Sequence, residues 1–272
     1  MIPSHREYGD PEGAPLMWCH GGASCSLDAA MVREAARELG VRVIAPDRPG
    51  IGGTPPAPGR ALGDWPAEAL ALADDLGIGN FRVAGWSAGG SYALALAREA
   101  PGRVEHLALL AASAPYELVG HRGLSRPDRA MIVLSRRAPA LARILLNAAF
   151  GRPSPGRLQK RLERSLPAPD AAAVHAHGPP DYLKDALRQG PAGVIEDYRV
   201  FGGPLGFGLE EVACPVDVWQ GEEDTLVPVS HARVLADRLP EGTLHLCPGE
   251  GHISLLTNRA TDFLVSWRAR QR

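Results

Sequence analysis

The chain has 272 residues, of which 45% are hydrophobic, so it can bury a substantial core in one large domain or in a domain with an insertion. A formal net charge of −2 argues against nucleic acid as a partner, and the lack of a long apolar run or signal-peptide pattern argues against a membrane protein and predicts a cytoplasmic location. The four cysteines lack the spacing of a zinc site or a disulfide framework, so neither is expected.

The first part of the chain alternates short apolar runs with helical patterns. The predicted strands are PLMWC, VRVIAP, FRVAGW and VEHLALLAA, and the predicted helices between them cover 27–39, DWPAEALALADDLG and 88–99. This alternation predicts an α/β fold with a mostly parallel central sheet flanked by helices. Ahead of DPEGAPLMWC the chain has only SHREYG, and the sequence leaves open whether an antiparallel edge strand is present.

The pattern changes after Pro115. From residue 116 to 209 the sequence has helical segments separated by proline-rich joints and no convincing strand pattern. The alternation then resumes with PVDVW and TLHLC and ends with a predicted helix over 255–268. These observations predict one core made of residues 1–115 and 210–272, interrupted by a helical cap insertion over 116–209.

A G-x-S-x-G pattern lies where a predicted strand meets a predicted helix, in Gly85-Trp86-Ser87-Ala88-Gly89. A tight turn at this junction holds the serine hydroxyl clear of the sheet, and the flanking glycines allow the strand and helix backbones to approach closely. The pattern predicts Ser87 as a nucleophile, and the alternative is a tight turn without chemistry.

A serine becomes nucleophilic when a histidine takes its proton and a carboxylate orients that histidine. His252 lies in a glycine-flanked loop after the last predicted strand, and Asp224 lies where the chain turns after VDVWQG. We predict these residues as base and acid, in the order Ser, Asp, His expected for this architecture. Glu222 and Glu223 remain alternatives for the acid.

Hydrolysis of an acyl bond also needs backbone N–H groups to hold the oxyanion. One is predicted at Ala88, directly after the candidate nucleophile, and the other at Gly22 in the glycine-rich loop after the first predicted parallel strand. Ala23 and Trp86 adjoin these positions, and we expect both to contact a substrate.

Five motifs, WCHGGA, APDRPGIGGT, GWSAGG, QGEEDTLVP and GEGHISLL, together resemble the α/β-hydrolase fold superfamily, specifically its small capped esterase and lipase-like members. The resemblance covers about residues 8–267. It implies a hydrolase without metal or organic cofactor, a site at the carboxyl edge of the sheet, and a cap that shapes the pocket. Relatives that hydrolyse epoxides or haloalkanes carry an aspartate where this chain has Ser87.

The predicted function is hydrolysis of a carboxylic ester, thioester or lactone of a small, partly apolar molecule through an acyl-enzyme. Amide hydrolysis, lyase chemistry and perhydrolase chemistry remain open, because relatives use the same triad for them. A non-catalytic protein that binds a small molecule on the same fold is the competing interpretation. Dinucleotide binding at GWSAGG is disfavoured by its glycine spacing. The sequence does not indicate an oligomeric state.

Overall fold

A computed structural model of the protein describes residues 1–120, 123–150, 155–177 and 181–266. Seven strands in these ranges form one sheet in the order β1-β3-β2-β4-β5-β6-β7. The strands are β1 (His5–Gly9), β2 (Ala14–Cys19), β3 (Val41–Pro46), β4 (Phe81–Trp86), β5 (Val104–Leu110), β6 (Val216–Gly221) and β7 (Gly242–Cys247). All neighbouring pairs are parallel except β1 and β3. The predicted fold class is therefore confirmed, and SHREYG supplies the antiparallel edge strand.

Helices cover both faces of the sheet and also follow β5. In the described ranges they are α1 (Arg33–Glu38), α2 (Trp65–Asp75), α3 (Gly89–Glu99), α4 (Tyr116–Val119), α5 (Arg126–Arg137), α6 (Pro139–Phe150), α7 (Pro155–Ser165), α8 (Ala168–His177), α9 (Asp181–Ala186), α10 (Ala192–Phe201), α11 (Val229–Arg238), α12 (Ser254–Asn258) and α13 (Ala260–Val265). Helices α4 to α10 all belong to residues 116–209, which we call the β5–β6 segment.

Two predicted helices differ from the structure. The predicted helix over 27–39 is a 3-10 helix (Ser26–Val32) followed by the short α1. The side chain of Asp28 explains the tighter first part, because it is drawn inward to accept hydrogen bonds from Trp18 and from the Gly21 amide. The last predicted helix divides at Arg259 into α12 and α13. The end of this predicted helix lies outside the described residues. The same holds for the parts of the domain and resemblance predictions that fall on 121–122, 151–154, 178–180 and 267–272.

The core consists of two buried apolar clusters. The larger contains the inner faces of α2, α3 and α11 together with residues of α5 and α10, and the smaller lies against α1, α12 and α13. Because β2, β4, β5, β6 and β7 run parallel, their carboxyl ends meet at one edge of the sheet, and the β5–β6 segment leaves the sheet there. The loops that carry the predicted site residues all begin at this edge.

Candidate active site

Ser87 occupies a strained turn between β4 and α3. Its φ of 55° lies in the left-handed region, which residues other than glycine rarely adopt. The turn is also crowded: a Cβ added to Gly85 would lie 2.7 Å from the Cβ of Ala93, and one added to Gly89 would collide with the carbonyl oxygen of Cys19. Glycine is therefore required at both positions for the strand and helix to pass this closely.

His252 and Asp224 form a buried hydrogen-bonded pair. The Nδ1 atom of His252 lies 2.8 Å from Oδ2 of Asp224. The same oxygen accepts from the Gln220 amide at 2.9 Å, while Oδ1 accepts from the backbone N–H groups of Leu226 and Val227 at 2.8 and 2.9 Å. An ionised Asp224 requires the proton of the imidazole on Nδ1, which leaves Nε2 as the proton acceptor.

The two alternative acids lie elsewhere. Glu222 and Glu223 are exposed, whereas the side chain of Asp224 is completely buried against His252. The structure therefore brings Asp224, and neither glutamate, to the imidazole.

The charge around His252 favours its protonated form. Burial alone would lower the pKa of this imidazole, but the charge of Asp224 and its hydrogen bond, together with the charges of Asp170 and Asp128, raise the pKa above its ordinary value. A proton received at Nε2 is thereby stabilised.

The two residues predicted to supply the oxyanion donors, Gly22 and Ala88, lie side by side. A Cβ added to Gly22 would be 3.4 Å from the Cβ of Ala88, so the loop after β2 meets the N-terminal end of α3. The positive end of the α3 dipole points toward the same space. Ala23, the next residue of the loop, has a left-handed φ of 48°, a conformation that residues other than glycine rarely adopt.

A buried arginine that was not predicted from the sequence holds the loop that contains Gly22. Arg48 donates from Nη1 to the His20 carbonyl at 2.6 Å and from Nη2 to the Gly21 carbonyl at 2.8 Å. Its guanidinium also pairs with Asp197 of α10 through bonds of 2.8 and 2.7 Å, with both side chains fully buried. The motif DRPG is the only local signal for Arg48, and Asp197 has none.

The contacts among Arg48, Asp197 and His20 shift the pKa values of the two titratable partners of the arginine. Burial alone would raise the pKa of Asp197, but the charge and hydrogen bonds of Arg48, with the charge of Arg60, hold that pKa well below its usual range. Burial and the charge of Arg48 lower the pKa of His20. A neutral His20 fits its contacts, since Nε2 lies 3.2 Å from the donating amide nitrogen of Arg48.

A second missed residue contacts the histidine loop. Asp170 of α8 is fully buried and accepts hydrogen bonds from the backbone amides of His252, Ile253 and Ser254 at 2.9, 2.8 and 2.9 Å. Nothing in the local sequence around Asp170 indicates this role, because its partners lie more than 80 residues further along the chain.

The predicted residues surround a cavity of about 230 Å³. Ser87, His252, Gly22, Ala88 and Ala23 all line it, as does Trp86, whose indole Nε1 donates to the His252 carbonyl at 3.2 Å. Asp224 lies behind His252. The β5–β6 segment contributes apolar side chains to the wall, among them Leu124, Met131, Leu146, Leu162, Leu166 and Phe201.

A second cavity, of about 470 Å³, is separate from these residues. It lies between the 49–58 loop and helices α5, α6 and α10, and none of the predicted site residues lines it. Within the described ranges, no three His, Cys, Asp or Glu side chains are placed to share a metal ion. No helix in those ranges is both long and apolar enough to cross a membrane.

The chain belongs to the α/β hydrolase fold family, whose family model matches residues 14–259. Among curated relatives, it is 28% identical to the pimeloyl-[acyl-carrier protein] methyl ester esterase of Chromobacterium violaceum, over 93% of this chain and 92% of that protein. It is 29% identical to a putative carbamate hydrolase of a Caulobacter species, over 78% of this chain and 74% of that protein.

Solved structures give the same fold. A thermophilic esterase from Thermogutta terrifontis superposes with a TM-score of 0.73 and 22% identity, over 98% of this chain and 93% of that one. The resemblance noted from the motifs is thus confirmed, and the esterases and hydrolases among the relatives support the prediction that the chain is a hydrolase.

Proposed function

We propose that this protein is a serine esterase that hydrolyses the carboxylic ester of a small, partly apolar molecule through an acyl-enzyme. The observation that carries the proposal is the meeting of Ser87, on its strained turn, with the buried His252–Asp224 pair at one cavity. Each group alone has a structural explanation, but their convergence at the carboxyl edge of the sheet supports nucleophilic acyl transfer as the chemistry of the site.

In the proposed reaction, Ser87 Oγ attacks the ester carbonyl carbon while its proton passes to Nε2 of His252. Asp224 accepts the Nδ1–H bond and stabilises the imidazolium. The tetrahedral intermediate collapses, the C–O bond to the alcohol breaks, and His252 returns the proton to the leaving oxygen. Water then attacks the acyl-enzyme by the same path, which releases the carboxylic acid and restores Ser87.

The negative oxygen of each tetrahedral intermediate would be held by the backbone N–H groups of Gly22 and Ala88. Their adjacency supports this role, and the buried Arg48 keeps the Gly22 loop in place without contacting the substrate. Because these donors are set before the reaction begins, they stabilise the developing charge without reorganisation.

We further propose that the β5–β6 segment acts as a cap that selects the substrate. Its leucines, Met131 and Phe201 line the cavity, which favours an apolar acyl or alcohol group. Asp128 is the acidic residue of this wall, where its Oδ1 accepts from the Tyr198 hydroxyl at 2.9 Å. A carboxylate in this position disfavours substrates that carry a negative charge near the reacting carbonyl.

An ester is preferred over an amide as the cleaved bond for two reasons. An alcohol needs less protonation to leave than an amine, and one relative is named a methyl ester esterase. Thioesters and lactones pass through the same acyl-enzyme, so they belong in the same substrate screen.

The test is covalent labelling by a fluorophosphonate, followed by intact-mass measurement. We expect one adduct on the wild-type protein, none on Ser87→Ala, and unchanged labelling of the control Ser91→Ala, which alters a buried serine one turn further along α3. A panel of p-nitrophenyl esters, thioesters and lactones then measures turnover. A folded wild-type protein that neither labels nor turns over any of them would refute the proposal and favour a non-catalytic binding protein.

A further inference from the structure

The backbone of His252 is held from two sides. Its N–H donates to Oδ2 of Asp170 at 2.9 Å, and its carbonyl accepts from the Trp86 indole at 3.2 Å. Trp86 adjoins the candidate nucleophile, whereas Asp170 belongs to α8 of the β5–β6 segment. The backbone of His252 is therefore hydrogen-bonded both to a residue of β4 and to a residue of the β5–β6 segment.

The carboxylate of Asp170 binds three backbone amides of this loop. Its Oδ1 accepts from the amides of Ile253 and Ser254, so one carboxylate satisfies three consecutive backbone donors. It is fully buried, and a Cβ added to Gly251 would lie 2.5 Å from its carboxyl atoms. Burying a carboxylate costs desolvation free energy unless hydrogen bonds compensate for it. The three loop amides supply that compensation for Asp170, and Asp170 in turn fixes the position of the loop.

We infer that Asp170 is a positioning residue for catalysis, which fixes the loop of His252 so that its imidazole meets both Asp224 and the substrate. The inference rests on the proposed function. It means that the β5–β6 segment sets the geometry of the general base in addition to forming a wall of the cavity.

The charge of Asp170 contributes as well as its hydrogen bonds. The charged groups that act on His252 are Asp224 after β6, Asp170 on α8 and Asp128 on α5, and all three favour the imidazolium. Replacing Asp170 with a neutral residue removes one of these charges, so the pKa of His252 should fall toward its ordinary value. That shift would show that the charge of Asp170 acts on the imidazole, whereas the positioning role itself is tested by kcat.

The first variant is Asp170→Asn, which keeps the shape but removes the charge and places an NH₂ group against a backbone donor. We expect kcat/KM for an ester to fall by about 10²-fold, because a shift of about 1 Å in a catalytic group has an effect of this size. The loss should be in kcat with KM nearly unchanged, and the acidic limb of the kcat/KM profile should move to lower pH.

A second variant perturbs Asp170 without replacing it. Gly251→Ala places a methyl group against the carboxylate and must displace it, so kcat should fall while the acidic limb moves less, because the charge remains. The control is Asp75→Asn, which removes one exposed carboxylate at the end of α2. It should match the wild type in kcat and in pH profile.

The outcomes separate the inference from the proposed function. A folded wild-type protein that neither labels with the fluorophosphonate nor turns over any ester, thioester or lactone of the panel refutes the proposed function itself. If the wild type is active and folded Asp170→Asn keeps the wild-type kcat, the positioning role is wrong, even if the acidic limb moves or the melting temperature falls. If Asp170→Asn does not fold, Gly251→Ala decides: wild-type kcat in that variant overturns the inference, and a selective loss of kcat supports it.

Discussion

Replacing Asp197 with asparagine should destabilise the protein far more than an ordinary loss of an ion pair. The Asp197 carboxylate faces two buried cations, with bidentate bonds to Arg48 of 2.8 and 2.7 Å and a contact to Arg60 at 3.1 Å. It also accepts from the Tyr92 hydroxyl at 2.7 Å. Asparagine has nearly the same shape, but it removes the carboxylate charge that both guanidinium groups contact.

Removing one partner of a buried ion pair costs about 3–5 kcal/mol, which is a large part of the 5–15 kcal/mol that separates typical folded and unfolded proteins. At about 2–4 °C per kcal/mol for a chain of this size, Asp197→Asn should lower the melting temperature by about 6–20 °C. The matched control is Glu196→Gln on the same helix. Its ion pair with Arg199 is partly exposed, so the expected loss is below about 1 kcal/mol.

The pH dependence gives the sign of the effect. Because the pKa of Asp197 is depressed in the folded protein, its stabilising contribution is complete above the unfolded-state value of about 3.9 and is lost as the pH falls further toward the folded value. The melting-temperature gap between the wild type and Asp197→Asn should therefore be constant from pH 5 to 8 and narrow below about pH 4. Equal melting temperatures for Asp197→Asn and Glu196→Gln at pH 7 would refute the reasoning.

Four further results are expected. Ser87→Ala and His252→Ala should each lower kcat/KM for an ester by about 10⁴-fold or more, with circular dichroism unchanged. Asp224→Asn should cost about 10⁴-fold, and Glu223→Gln should retain wild-type rates; the opposite ranking would move the acid to Glu223. The kcat/KM profile should fall as the pH drops through the pKa of His252, which is raised above that of an ordinary histidine, and a flat rate from pH 5 to 8 would contradict its role as base. Gly89→Ala should show no cooperative unfolding transition in a thermal-shift assay, because its methyl group would collide with the backbone carbonyl of Cys19, which cannot move aside.

The sheet could be predicted from the sequence because its central strands are buried on both faces. VRVIAP and FRVAGW are apolar except for one arginine each and are bounded by glycine or polar residues, and they match β3 and β4 residue for residue. The helix predicted over 27–39 is less regular in the structure, because Asp28 bonds with Trp18 and the Gly21 amide rather than following the helical pattern. Contacts of this kind leave no mark on local periodicity.

The candidate site likewise contains some residues that the sequence predicts and others that it does not. Ser87, Asp224 and His252 lie in short motifs at strand ends, so local spacing indicates them. Asp170 and Asp197 are single acids in helices of the β5–β6 segment, and their partners are 82 and 149 residues away in the chain. The sequence of such a helix does not distinguish a buried carboxylate from a solvated one, so only the folded arrangement reveals these two.

The anchoring of the β5–β6 segment limits how this enzyme can be re-engineered. Asp197 on α10 holds the arginine beneath the Gly22 loop, and Asp170 on α8 holds the loop of His252. A chimera that receives the corresponding helices of a relative, chosen to change substrate preference, would lose both attachments unless it carries acids at the same two places. We therefore expect substrate specificity to be changed successfully by substituting the leucines that line the cavity. Replacing the entire helices is expected to fail.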